Sequence, residues 1–301
     1  MNSAEELPSR SLYVLNNELL QIKNKEKNRR IDANKIKNLC SYLLQGNFKR
    51  IWNKASETYG EKQIYNKAYT LKDYPNFPDV KVAVYTCIWG KYDTVHEPLY
   101  INPNIDYYLI TDQEINSNSA WKPYHLSPEF LEKGLNPIEV NRYCKMLPHL
   151  ILPNYDYSIY IDGNVIPTTD MMPLIADLGD KVLAVHKYPI TDCIYEMGKT
   201  IVVGKKARKS DVDNQLNNYQ KIGFPAHFGA FECNVLIRKH TSDQCCRLME
   251  DWWEEFSNTP TKRDQLSFPF VLWKNHFSVE GIHDLGPNVR FNPRFQVVNH
   301  I

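Results

Sequence analysis

The chain has 301 residues, 36 Lys+Arg against 35 Asp+Glu, a net charge of +1 and 43% hydrophobic side chains. That length suits one large domain or two small ones, and the apolar share excludes general disorder. The near-zero charge argues against a protein that coats nucleic acid, which needs a clear cationic excess. The longest apolar runs, such as Val82–Ile88, fall far short of the ~20 residues that span a bilayer.

Residues 1–75 carry 14 basic and 8 acidic side chains, with a cationic stretch over 23–30, so the remainder is net acidic. Leu12, Leu15, Leu19, Leu20 and Ile22, then Ile36, Leu39, Leu43 and Leu44, recur at helical spacing, and Asp32 is placed as an N-cap. Two or three helices are expected in this extension. Its positive face is either simply solvated or suited to an anionic membrane surface or a partner, including a second copy of the chain. The polar start, with Glu5 and Glu6, does not read as a secretory signal.

The texture changes near Tyr74–Pro78, which divides the chain into a helical extension, 1–75, and a larger domain, 76–301. Strands are predicted over Val80–Cys87, Ile105–Thr111, Tyr157–Ile161, Lys181–His186 and Asn234–Arg238, and helices over Asn136–Leu150 and Asp243–Phe256. Alternation of the two predicts an α/β fold with a Rossmann-like, mostly parallel sheet. Seven cysteines in an odd, irregular series give neither a disulfide framework nor a zinc ribbon. They are expected to be buried free thiols in a reducing cytoplasm.

Tyr157–Ile161 runs straight into Asp162-Gly163-Asn164. Ligands of open α/β sheets sit beyond the carboxyl ends of strands. Asp162 and Asn164, two apart across a glycine, can offer oxygens to one Mg²⁺ or Mn²⁺, although strand–Asp–Gly–Asn is also an ordinary turn. Arg142 and Lys145, one helical turn apart, are placed to meet phosphates or to form a solvated face. Asp264 and Gln265 open an apolar run, where they can hold sugar hydroxyls or cap a helix. Tyr85, Thr86 and Trp89 follow the first strand, with simple core packing the other reading of Trp89, and Asp112 ends the second. Glu232 and Asn234, just before a strand, are candidate site residues or part of a structural turn. His300 is a candidate third metal ligand. His186, Trp252 and Trp253 read as core.

With these pieces in order, residues ~80–300 resemble the glycosyltransferase-like family known from plant seed-mucilage and pectin synthesis and from bacteria, long catalogued as a domain of unknown function. The resemblance rests on the run from Val84 to Asp93, His96-Glu-Pro98, Tyr108–Asp112, Lys145–His149, Tyr160–Asn164, His186, Asp192–Glu196, Gly229–Asn234, Arg238–His240, Trp252-Trp253 and Arg263–Phe268. It implies an A-type glycosyltransferase fold, a nucleotide-diphosphate sugar donor, a uridine one foremost, a glycan acceptor and Mn²⁺ or Mg²⁺, with Tyr85, Thr86, Trp89 and Asp112 near the nucleotide base and ribose and Glu232 and Asn234 facing the acceptor or donor sugar.

A looser likeness to the glycogenin and lipopolysaccharide-galactosyltransferase family implies Asp162, Asn164 and His300 at the metal, Asp264 and Gln265 beside the reacting sugar, and retention of configuration. Asn164 stands where many such enzymes carry a second Asp. The competing readings are a metal-dependent hydrolase and a catalytically silent sugar-binding module. None of the nine His forms an H-E-x-x-H or H-x-H pattern.

Overall fold

The computed structural model describes residues 79–298 apart from Lys91 and Pro287, together with Leu15 and Leu19. The helices expected over residues 1–75, and His300, lie outside the described residues; Leu15 and Leu19 themselves are helical and exposed.

Seven strands form one sheet: β1 Val82–Ile88, β2 Ile105–Thr111, β3 Lys122–Tyr124, β4 Tyr157–Ile161, β6 Leu183–Lys187, β7 Phe231–Arg238 and β8 His283–Asp284, in the order β3-β2-β1-β4-β7-β6-β8. The pairs β1–β2, β1–β4, β2–β3 and β6–β8 are parallel, whereas β7 runs antiparallel to both β4 and β6. Six strands therefore point one way and β7 alone points back. The sheet is Rossmann-like and mostly parallel, as expected. The reversal matters for the site, because it brings the first residues of β7 to the edge where β1, β2 and β4 end. A small antiparallel pair, β5 Val165–Pro167 with β9 Phe295–Val297, lies beyond β4.

β1 (VAVYTCI) is buried along its whole length, as an unbroken apolar run between two covered faces should be. Its alternate side chains feed two cores. Ala83, Tyr85 and Cys87 join Tyr160, Leu236, Met249, Trp252 and Phe268 on one face. Val82, Val84 and Ile88 join Ile159, Ile161, Ile175 and Ile237 on the other. The first face is covered by α2 Pro137–Met146, α5 Ile194–Val203, α6 Lys209–Ile222, α7 Asp243–Asn258 and α8 Asp264–Lys274; the second by α4 Met172–Leu178. Short helices α1 Pro128–Leu131 and α3 Pro148–Ile151 flank α2.

α2 starts where the sequence asks for a helix. Asn136 accepts hydrogen bonds from Ile138 N and Glu139 N, Glu139 completes a capping box, and Pro137 fills the first turn. The helix predicted over Asn136–Leu150 breaks at Leu147, because Pro148 cannot continue it, and resumes as α3. α7 buries Cys245, Leu248, Met249, Trp252 and Phe256, the three-to-four spacing of an amphipathic helix. Trp252 is fully buried, its indole donating to Ser267 Oγ at 3.0 Å, and Trp253 packs edge-on against Tyr143. The described cysteines are all free, and all but the half-buried Cys246 are buried, as expected.

Candidate active site

The site is assembled at the carboxyl edge of the parallel strands. β4 ends at Ile161 and delivers Asp162; Asp162 N donates to Asn234 O at 2.9 Å, so β4 and β7 stay paired one step past the end of β4. The turn that follows needs Gly163: a Cβ there would lie 2.8 Å from Ile88 Cγ1, closer than real side chains come. Asn164 is 7% exposed. Its Nδ2 donates to Val298 O at 3.0 Å, and Val298 N donates back to Asn164 O at 3.0 Å.

The last turn of α2 supplies the cations. Lys145, 1% exposed, donates from Nζ to Asp264 Oδ2 at 2.7 Å and to Asp162 Oδ1 at 3.3 Å, and lies 5.1 Å from the centre of the Tyr160 ring. Arg142 Nε is 3.2 Å from Asp264 Oδ2, and its guanidinium also donates to Asn141 Oδ1. Burial by itself would raise the Asp264 pKa, but Arg142 and then Lys145 outweigh it and hold the carboxyl well below its usual range. For Arg142, burial opposes the charge, and Asp264 followed by Asp162 overcomes it, so the guanidinium titrates above its ordinary value. The four groups form an ion cluster open on one side, through Asp162, whose side chain is 29% exposed.

Glu232 and Asn234 stand at the start of β7. Glu232 accepts from Asn288 Nδ2 at 2.8 Å and from Asn234 Nδ2 at 3.5 Å. Burial pushes its pKa up to about 7, against the opposing effect of the Val289 N–H and Asn234. His186, opposite Glu232 across the β6–β7 pair, is fully buried beside Asn292 Nδ2 at 3.2 Å, and burial brings its pKa down to about 3. It is a neutral core histidine at physiological pH.

Several expected site residues have other tasks. Tyr85 is fully buried, and its hydroxyl donates to Cys144 O at 2.9 Å and accepts from Arg238 Nη2 at 2.7 Å; it packs under the site and does not face a nucleotide. The alternation of β1 is the reason, since Tyr85 belongs to the first core. Thr86 is 4% exposed on β1 and Trp89 packs partly buried against the first core. Asp112 accepts from Gly90 N at 3.1 Å through both carboxylate oxygens and so closes the turn after β1, where Gly90 has φ +74°.

Asp264, expected at sugar hydroxyls, is 3% exposed; it instead holds Arg142 and Lys145 and accepts from Gln265 N at 3.0 Å. Gln265 Oε1 accepts from Arg263 Nη2 at 3.3 Å. Asp162, Asn164, Arg142, Lys145, Glu232, Asn234, Asp264 and Gln265 are thus drawn to one edge from four separate stretches. Asn288 was not foreseen, since an isolated Asn before a 3₁₀ turn carries no motif; Arg238 was named within the resemblance but given no role, because an Arg ending a strand does not show its partners.

The profile of the TOD1/MUCI70 glycosyltransferase-like domain matches residues 136–293, just over half the chain and every one of those eight residues. The chain belongs to this family. Membership places it among the glycosyltransferase-like proteins. Against curated protein sequences nothing matches.

Among solved structures the chain is similar to the galactosyltransferase LgtC in complex with donor and acceptor sugar analogues, at 15% identity over 67% of this chain and 72% of that one, TM-score 0.37. It is similar to the mannosyltransferase Ktr4p from S. cerevisiae in complex with GDP, at 10% identity over 72% of each chain, TM-score 0.37. Mouse xyloside xylosyltransferase 1 shares 10% identity over 73% of this chain and 95% of that one, TM-score 0.37.

Proposed function

We propose that this glycosyltransferase moves a sugar from a nucleotide-diphosphate donor, a uridine diphosphate sugar foremost, onto a hydroxyl of a glycan acceptor in polysaccharide or glycoconjugate synthesis. The observation that carries the reading is the cation pair of buried Lys145 and half-buried Arg142, fixed by Asp264 beside the open carboxylate of Asp162 at the strand tips.

Asp162 and Asn164 supply one carboxylate and one amide oxygen. Among the described residues no group of three or more His, Cys, Asp or Glu is placed to hold a metal ion. Mg²⁺ and Mn²⁺ are commonly held by one or two protein carboxylates together with substrate phosphates, so the set fits an ion that arrives with the donor. When bound, such an ion would offset the charge that develops on the departing diphosphate. His300 belongs to the same proposal, supported by the clasp that keeps Val298, two residues earlier, on Asn164.

The chain's own residues carry the rest. Lys145 and Arg142 present positive charge already oriented at the place where the diphosphate gathers its negative charge; such preorganised stabilisation is worth several kcal/mol because nothing need reorganise during the reaction. Asp264 keeps both cations in place. A carboxylate shared by two cations is a weak nucleophile and base, which favours its service as a holder. Gln265, next to it and half-buried, is proposed to orient the reacting sugar, with retention of configuration.

Peripheral contact of the basic residues 1–75 with the inner membrane face, a cytoplasmic setting and self-association complete the proposal; among the described residues no helix is long and apolar enough to cross a membrane. The test is incubation with a panel of nucleotide sugars, Mn²⁺ and glycan acceptors. Free nucleotide with a glycosylated product is expected. Ester or amide cleavage would instead make the protein a hydrolase, and saturable binding without turnover a sugar-binding module.

A further inference from the structure

The end of α5 and the turn into α6 depart in charge from the domain around them. Residues 76–301 are net acidic, yet between Glu196 and Asp211 the chain carries Lys199, Lys205, Lys206, Arg208 and Lys209 and no acid. All five are exposed. Arg208 is paired with Asp211 at 2.8 Å and Lys209 with Asp213, whereas Lys199, Lys205 and Lys206 form no ion pair among the described residues. The turn is also held at a cost. Lys206 N donates to Ile201 O and Lys205 N to Val202 O, both at 3.0 Å, which puts Lys205 in the left-handed position that usually falls to glycine, with φ 55°. A lysine there costs about 1 kcal/mol.

The same turn reaches the mouth of β7. Burial is the main influence on the Glu232 carboxyl, and Arg290 and Lys206, from two distant stretches of chain, are the cations that act against it. Arg290 is exposed and likewise forms no ion pair among the described residues. The acids nearby are engaged: Glu232 accepts from Asn288 and Asn234, Asp192 holds His227 at 2.6 Å, and Asp284 lies 3.6 Å from Lys187. Glu232 stands two residues, about 7 Å of strand, before Asn234, whose carbonyl receives Asp162 N. Lys206 and Arg290 are therefore a second positive region, separate from Lys145 and Arg142.

We infer that Lys206 and Arg290, with Lys205 and Lys199 behind them, draw in the acceptor, so that the acceptor is a glycan bearing an acidic group, a uronate or a phosphate. This rests on the glycosyl-transfer reading and names its acceptor class. A neutral glycan gains only ordinary hydrogen bonds from these side chains; an anionic one gains charge-assisted bonds, about twice as strong. It is also attracted by their summed field before any contact forms, wherever along its length the acid sits. An anionic membrane could use the same charges, but two stretches that converge on one carboxyl at a strand end suit a ligand entering a cleft better than a flat layer of headgroups.

The experiment uses the full chain with Mn²⁺, the panel of nucleotide sugars, and each acceptor in an acidic and a neutral form: uronate oligosaccharides with their carboxyl-reduced forms, and phosphorylated oligomannosides with their dephosphorylated forms. The acidic form should show kcat/KM higher by about fivefold or more, an advantage that shrinks as salt rises from about 50 to about 300 mM. The double variant Lys206→Gln with Arg290→Gln should lose most of that preference, its folding checked by thermal melting, while Lys221→Gln, at the far end of α6, keeps it. A neutral form used as well as the acidic one, or a preference unchanged in the double variant, would overturn the inference and leave glycosyl transfer standing. So would binding to phosphatidylglycerol vesicles that the double variant loses, without any acceptor preference, since the charges would then serve a membrane. Transfer to none of the acceptors from any donor would overturn both.

Discussion

Arg238 holds the backbone carbonyl of Lys145. The guanidinium, fully buried at the end of β7, donates through Nη1 to that oxygen and through Nη2 to Tyr85 Oη at 2.7 Å, and the tyrosine hydroxyl in turn reaches Cys144 O at 2.9 Å. Two strands on either side of β4 thus fasten the last turn of the helix that presents Lys145 and Arg142. The open carbonyls of a helix C-terminus carry partial negative charge, which is what a buried guanidinium needs.

The first prediction follows from this fastening. Arg238→Lys keeps the charge but loses the fork, so folding stability should fall by about 1.5–3 kcal/mol. Tyr85→Phe should cost about 1 kcal/mol. Because the two side chains share a hydrogen bond, the double variant should cost less than the sum of the singles. Urea denaturation of the four proteins gives the coupling; strictly additive losses would contradict the clamp.

Asp264→Asn leaves buried Lys145 and half-buried Arg142 with half of their balancing charge. Removing one partner of a buried ion pair costs about 3–5 kcal/mol, the loss expected at neutral pH. The sign with pH is set by the depressed pKa of Asp264. Its contribution is present above the unfolded value of 3.8 and is lost as pH falls below it. The wild type should therefore lose more stability than the variant between pH 5 and pH 2, read from melts across that range.

Glu232 acts in the opposite direction. Its pKa rises from 4.5 unfolded to about 7 folded, so the folded chain binds the extra proton between those values. That stability is complete below pH 4.5 and is lost as pH rises through about 7. Glu232→Gln should flatten the fall in melting temperature between pH 5 and pH 8 and should melt above the wild type at pH 8. An unchanged slope would contradict the burial argument.

Much of this was legible beforehand. Ile105–Thr111 and Tyr157–Ile161 are strands at the predicted bounds, because each is an apolar run closed by a turn signal. The predicted strand Asn234–Arg238 begins earlier, at Phe231, since Glu232 and Asn234 alternate with buried Phe231 and Cys233 and look polar in sequence. The reversed direction of β7 was hidden, because direction is set by tertiary pairing and not by local pattern. Lys145 and Arg142 were legible through their one-turn spacing, but the partner that binds them, Asp264, lies 119 residues from Lys145. Tyr85 was misplaced for a related reason: the sequence shows that it lies on a buried strand, not which face it takes.

Gly163→Ala probes the turn that carries Asp162. The added methyl meets Ile88 Cγ1 at 2.8 Å, and Ile88 is buried, so the turn or the core must shift. Overpacking of this kind costs about 1–3 kcal/mol. Displacement of Asp162 should lower sugar transfer more than a comparable loss of stability made elsewhere, for instance at Ile175 in the second core; equal losses would separate the turn from the site.

The proposed gathering of a diphosphate at Asp162 beside Lys145 is tested most directly by calorimetric titration of UDP and of GDP, with and without Mn²⁺, into the wild type and Asp162→Ala. Binding to the wild type should depend on Mn²⁺, and the variant should bind the same nucleotide at least about tenfold more weakly, the loss of one charge-assisted contact. Equal affinity of the two proteins, with the same response to Mn²⁺, would contradict the account.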